Sequence, residues 1–189
     1  MIDSLREMLS RRARRRLERP ERAAVLVPIV DDGGPLRLLL TRRAEDLPTH
    51  RGQVAFPGGL MLRGEDDPVR TALREAEEEI GLPAASVEIL GLLDDLPTRT
   101  DGVAVTPVVG RIARLPHLTP SSAEVARIFT IPVADLARGE RWSARTEEGP
   151  GGARQIHSFE HEGEILWGLS ARIVLDLLSL TPLGAPPLV

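Results

Sequence analysis

Three observations predict an α+β fold built around a mixed sheet. Apolar runs of strand length outnumber helical segments along the chain. They do not alternate regularly with helices, as a doubly wound parallel sheet would require. The first two runs, Ala23–Val30 and Leu36–Thr41, flank the turn sequence Asp31-Asp32-Gly33-Gly34-Pro35, so an antiparallel hairpin belongs to that sheet.

The chain opens on a helix expected over Asp3–Arg19, with Asp3 or Ser4 as its cap, apolar Leu5, Met8, Leu9 and Leu17, and Pro20 as its stop. Residues 1–22 form an arginine-rich N-terminal unit, in which eight Arg against four acids give +4; with a total of −4, residues 23–189 carry −8. After the hairpin, Gln53–Phe56 reads as a short strand ended by Pro57-Gly58-Gly59, and Pro68–Ile80 as a helix. Further strands are expected at Val87–Leu93, Val103–Val109, Arg127–Ile131, Gln155–Glu160 and Glu164–Trp167. A last helix spans Leu169–Leu178, and the Pro-rich tail Thr181–Val189 cannot continue it.

With 189 residues and 42% hydrophobic content, the chain is expected to be one globular domain with a terminal extension, or one slightly large domain, rather than a disordered polymer. It has no Cys, which excludes disulfides, thiolate metal sites and a cysteine nucleophile. All 24 strongly basic residues are Arg, so Schiff-base and P-loop lysine mechanisms are excluded as well. No apolar run approaches the ~20 residues of a membrane span. The N-terminus lacks the apolar core of a secretory signal. A cytoplasmic protein with no membrane partner is the expectation. The run Arg11–Arg16 reads either as a face for anionic partners or as a solvated helix side. No aromatic interleaves these arginines, which argues against a nucleic-acid partner.

The helix at 68–80 carries the chemistry. Asp67 is a natural N-cap, Pro68 suits the first helical position, and Gly81 followed by Pro83 ends the helix. At about 100° per residue, Val69, Ala72, Leu73, Ala76 and Ile80 form the buried stripe. Glu75, Glu78 and Glu79 lie on the neighbouring arc. Like charges at these spacings repel, and the helix dipole disfavours anions in the C-terminal half. Convergent carboxylates in that position call for a counter-charge, and a hard divalent cation supplies it. The rival reading is an exposed acidic helix end screened by salt and Arg74.

The residues around this helix resemble the Nudix box, Gly-x5-Glu-x7-Arg-Glu-U-x-Glu-Glu-x-Gly-U, where U is bulky and apolar. Gly59 and Glu65 fit the first spacing, and Arg74-Glu75-Ala76-Glu77-Glu78-Glu79-Ile80-Gly81-Leu82 fits the rest, except for one inserted residue before Arg74 and a small Ala76. Counted back from Arg74, Asp66 rather than Glu65 takes the first acidic position. Upstream, Leu39-Leu40-Thr41-Arg42-Arg43-Ala44 through Gly52 to Phe56-Pro57-Gly58-Gly59 is similar to the extra motif of the coenzyme A pyrophosphatase branch. The longer box, Thr106–Gly110, Glu124-Val125 and Trp167-Gly168 also look like that branch. One position departs: Pro48 stands where the motif has its second arginine, and Arg51 follows three residues later.

The resemblance implies a Nudix fold, a mixed sheet sandwiched between helices, over residues 23–189. It implies Mg²⁺- or Mn²⁺-dependent hydrolysis of coenzyme A to 3′,5′-ADP and 4′-phosphopantetheine. Another nucleoside diphosphate conjugate, such as ADP-ribose or NADH, or a nucleotide, is the alternative substrate, kept open by Pro48. Metal ligands are then Glu75, Glu78, Glu79 and a carbonyl at Gly59; Arg74 orients a glutamate; Glu124 is a further ligand or base, or an exposed strand-edge acid. Arg43, Arg51 and Gly52 are the substrate-binding candidates. Glu65 and Asp66 support the box loop, hold a peripheral metal, or are simple loop acids. The oligomeric state, a homodimer included, is open.

Overall fold

The computed structural model describes residues 1–98, 102–148 and 152–186. Its main sheet grows outward from β1 (Glu21–Val30), which pairs in parallel along its whole length with β7 (Val103–Ile112). The other edge of β1 is divided. Ile29 and Val30 pair antiparallel with β2 (Arg37–Arg43), the expected hairpin, whereas Ala23–Val25 pair with β4 (Gly58–Leu60). β2 is divided in the same way: Thr41 and Arg42 pair with β3 (Val54–Ala55), and its outer edge pairs with β8 (Val125–Pro132). β1 and β2 therefore splay apart beyond their hairpin, and the chain from Val54 to Leu60 fills the gap. β5 (Glu88–Leu92) and β6 (Leu96–Pro97) complete the sheet on the far side of β7.

Side chains alternate across this sheet, as the strand period demands. Ala24, Leu26, Val30, Leu39, Val108 and Ile112 pack with Ala72, Ala76 and Ile80 of α2 (Pro68–Ile80). Val27, Ile29, Leu38, Leu40 and Val109 point the other way, into a core shared with Leu5 and Leu9 of α1 (Ile2–Arg11) and with α4 (Gly168–Ser179). Burial on both faces is why β1 reads as an unbroken apolar run. A second, antiparallel sheet of β9 (Trp142–Glu147), β10 (Arg154–His161) and β11 (Glu164–Trp167) joins the layer of α1 and α4. Trp142 and Phe159 anchor it with ring centroids 5.3 Å apart. The short α3 (Val133–Leu136) precedes that sheet. No helix among the described residues is long and apolar enough to cross a membrane.

The N-terminus differs from expectation. α1 ends at Arg11, not Arg19, and neither Asp3 nor Ser4 caps it. Arg12 is already extended, and tertiary bonds then outcompete the helix. Arg15 N donates to Asp94 Oδ1, Leu17 N donates to Asp95 Oδ2 and Asp95 N donates to the Arg15 carbonyl, each at 2.9–3.0 Å. Arg14 reaches Asp95, which is 1% exposed and also accepts from the Thr106 hydroxyl at 2.7 Å. The arginine run is thus not a helix side but a strap held to the sheet through its backbone and the Arg12 and Arg14 side chains, with Arg11, Arg15 and Arg16 exposed. Residues 181–186 of the Pro-rich tail are non-helical as expected, and 187–189 lie outside the described residues.

Candidate active site

α2 forms where the local signals put it. The Asp67 carboxylate accepts from Val69 N at 2.9 Å, Pro68 opens the first turn, and Gly81, at φ 66°, closes the last with its N–H on the Glu77 carbonyl. The last two α2 carbonyls would be orphaned at a free helix end. They are taken by the loop after β7: Thr119 N donates to Ile80 O at 3.0 Å and Ser121 N to Glu79 O at 2.8 Å. That cap has no sequence signature, because it depends on a segment forty residues away in the chain. The buried stripe is shifted by one arc from expectation. Val69 and Leu73 are half-buried, while Thr71 and Glu79 are buried.

The shift matters at Glu79, which is 4% exposed. Its Oε2 accepts from Gly58 N at 3.3 Å, and Arg43 Nη1 stands 4.0 Å from Oε1. Burial pushes the Glu79 carboxyl up to about 7; Gly58 N–H and Arg43 act against the rise, and Glu75 and Glu124 add to it. Glu75 is also raised, first by burial, with Arg74 opposing. Its carboxylate lies against Gly59 so closely that a Cβ there would sit 2.6 Å from it. Gly58 is equally constrained, since a Cβ would run into the Ala24 carbonyl of β1. The splayed strands thus bring two glycines over the carboxylate end of α2.

Arg74 ties the rim together. Its Nη1 donates to Glu75 Oε1 at 2.7 Å and to Glu78 Oε2 at 3.2 Å, and Nη2 donates to the Leu60 carbonyl at 3.4 Å. Desolvation lowers its proton affinity, but Glu75, Glu78 and Glu65 hold it above the ordinary value. The three glutamates do not converge on one point: Glu75 and Glu79 turn inward, whereas the Glu78 side chain is 60% exposed and held at the rim by Arg74. Among the described residues, no three His, Asp or Glu side chains already form a cation cage. Glu124, delivered by the capping loop just before β8, is exposed yet close enough to raise both Glu75 and Glu79.

The remaining candidates divide. Arg43 faces the carboxylates, and among the described residues its Nε has no hydrogen-bond partner. Arg51 is turned onto its own loop, with Nε donating to the Leu47 carbonyl at 2.6 Å. Gly52 adopts φ 61° and packs against the Glu45 carboxylate, closing the loop between β2 and β3. Of the two box acids, Glu65 supports the loop, accepting from Thr71 Oγ1 at 2.7 Å and Leu62 N at 3.1 Å, bonds that hold its carboxyl below the usual range. Asp66 is exposed.

Residues 20–148 match the model of the NUDIX domain. The chain is 39% identical over 163 residues to the Nudix hydrolase NudL of Pectobacterium atrosepticum, covering 86% of this chain and 84% of that one. It is 40% identical over 156 residues to NudL of Yersinia pestis, covering 82% and 77%. Among solved structures, a MutT/nudix family protein from Enterococcus faecalis superposes with a TM-score of 0.55 at 18% identity, covering 90% of this chain and 65% of that one. The RenU Nudix hydrolase of M. smegmatis gives 0.50 at 24% identity, covering 64% and 76%. A C. elegans Ap4A hydrolase gives 0.50 at 21%, covering 61% and 82%. At these identities the structural likenesses speak for the fold alone. The domain match and the NudL relatives reach further: this chain belongs to the Nudix hydrolase family, enzymes that act on phosphorus-containing anhydrides.

Proposed function

We propose that the chain is a coenzyme A diphosphatase, cleaving the diphosphate to 3′,5′-ADP and 4′-phosphopantetheine with Mg²⁺ or Mn²⁺. The observation that carries this reading is Arg43. It is the motif arginine of the Leu39–Gly59 segment, and it stands over the carboxylate site with an Nε unbonded among the described residues. An arginine so placed meets phosphate oxygens through paired N–H donors.

The donor set suits a hard cation. It is all oxygen, and two of its carboxylates are raised by burial with too little positive charge facing them. Glu75, Glu79, Glu78 from the rim and the Gly59 carbonyl would hold the ion. When bound, it supplies charge neutralisation at the diphosphate and a more acidic water. The chain's own groups do the rest. Arg74 fixes the Glu75 and Glu78 carboxylates, Arg43 orients the diphosphate, and Glu124 at the mouth takes up the proton of the attacking water. Arg51, from the loop closed by Gly52, meets the 3′-phosphate in place of the arginine that Pro48 displaces. Incubation with coenzyme A, ADP-ribose, NADH and a dinucleoside polyphosphate in Mg²⁺ tests the reading. Coenzyme A should be cleaved fastest. Preference for ADP-ribose or NADH would transfer the same site to another nucleoside diphosphate conjugate.

A further inference from the structure

β2 ends on two consecutive arginines that face opposite sides of the sheet. Arg43 reaches Glu79 on the α2 side. Arg42 reaches Glu164 of β11 on the other side, at 4.0 Å. Between the two, the register with β8 slips: Arg42 pairs with Arg127, but Arg43 pairs with Val125, skipping Ala126. Arg42 and Arg127 are therefore like charges directly opposite each other on the rung beside that bulge, an arrangement that pushes strands apart. Glu162 meets Arg127 alone, at 3.3 Å, and Glu164 is the counter-charge the two arginines share. It is 7% exposed, accepts from Arg127 Nη1 at 3.0 Å, and comes from the separate three-stranded sheet. Beyond this rung lie the two groups assigned to substrate chemistry. Arg43 follows Arg42, and Glu124, just before Val125, is held by its backbone carbonyl, which accepts from Ala44 N at 2.9 Å.

We infer that Glu164 is a positioning residue. By bridging Arg42 and Arg127 it holds together the β2–β8 rung before the bulge and so sets where Arg43 stands over the phosphate site. The inference rests on the reading of Arg43 as a phosphate contact, not on the identity of the substrate. A carboxylate buried only for packing between the two sheets contributes to stability and is blind to Arg43. A positioning carboxylate is felt only through it.

A double-mutant cycle separates these roles. Dissociation constants for inorganic pyrophosphate in Mg²⁺ are measured by titration calorimetry for the parent protein, Glu164→Ala, Arg43→Ala and the double variant, with melting temperatures alongside. Glu164→Gln, which keeps the side-chain shape, serves as a milder second variant should Glu164→Ala fail to fold. Glu164→Ala is expected to weaken binding about tenfold and Glu164→Gln about threefold, as for loss of a partner that orients a ligand-binding group. In the Arg43→Ala background either change is expected to weaken binding less than twofold. Equal weakening in both backgrounds, or unchanged binding with only a lowered melting temperature, would overturn the inference. So would a folded parent that binds no pyrophosphate. Failure of the coenzyme A reading shows up separately, as absence of coenzyme A cleavage by a parent in which the binding cycle still couples.

Discussion

Replacing Glu79 by Gln should make the metal-free protein more stable at alkaline pH, although it removes a residue assigned to the active site. In the folded chain the Glu79 carboxyl is raised from the ordinary 4.5 to about 7, chiefly because it is buried. Between those values the native state holds a proton that the unfolded state has released. Stability therefore falls as pH rises through that window; the penalty is absent below it and complete above it. Two and a half pKa units correspond to about 3 kcal/mol. Glu79→Gln removes that penalty but weakens the bond from Gly58 N–H by about 1 kcal/mol, leaving a net gain of about 2 kcal/mol at pH near 8. For a chain of this size that is a rise of roughly 4–8 °C in melting temperature. Thermal denaturation in chelator at pH near 5 and near 8 measures it. The variant should match or fall slightly below the parent at the lower pH and exceed it at the higher, and added Mg²⁺ should raise the parent alone. A variant less stable than the parent at both pH values would refute the account of a carboxylate buried against its charge.

Three further outcomes follow from the geometry. Gly59→Ala drives a Cβ to within 2.6 Å of the Glu75 carboxylate, so turnover should fall by about two orders of magnitude, read by steady-state kinetics, with the melting temperature changed by only a few degrees. Deleting residues 1–20 uncovers the core around Leu5 and Leu9 and strips Arg14 from the buried Asp95. The loss should reach about 5 kcal/mol or more in urea unfolding, and a truncated chain as stable as the parent would contradict the strap. Arg51→Ala should erode a preference for coenzyme A over dephospho-coenzyme A by about one to two decades in kcat/KM, chiefly through the 3′-phosphorylated substrate; an unchanged ratio would remove Arg51 from that contact.

What the sequence discloses here is local, and what it hides is tertiary. The caps of α2 are written in Asp67, Pro68 and Gly81 because each acts on its own neighbours, and all three behave as read. The i, i+4 pair Glu75 and Glu79 is legible as an unfavourable charge pattern. That Glu79 is buried and Glu78 is not depends on Gly58 and Gly59 being inserted between splayed strands, which no periodicity announces. β4 is hidden for the same reason: Pro57-Gly58-Gly59 has the composition of a turn, yet its close approach to β1 is what lets the strand pair. The length of α1 is misread because helix propensity through Arg16 is real but weak, and the bonds from residues 15 and 17 to Asp94 and Asp95 outweigh it. Likewise Glu164 is an ordinary acid in the sequence. Only the packing of the second sheet sets it between Arg42 and Arg127.

The central claim is that the carboxylate end of α2 cleaves a diphosphate with a divalent cation. Its most direct test is product identification by mass spectrometry after incubating coenzyme A and Mg²⁺ with the parent protein and with Glu79→Gln, each with and without chelator. The parent should release equal amounts of 3′,5′-ADP and 4′-phosphopantetheine, only when the cation is present, and Glu79→Gln should be slower by about two to three orders of magnitude. Cleavage by Glu79→Gln at the parent rate, or by the parent in chelator, would contradict the claim.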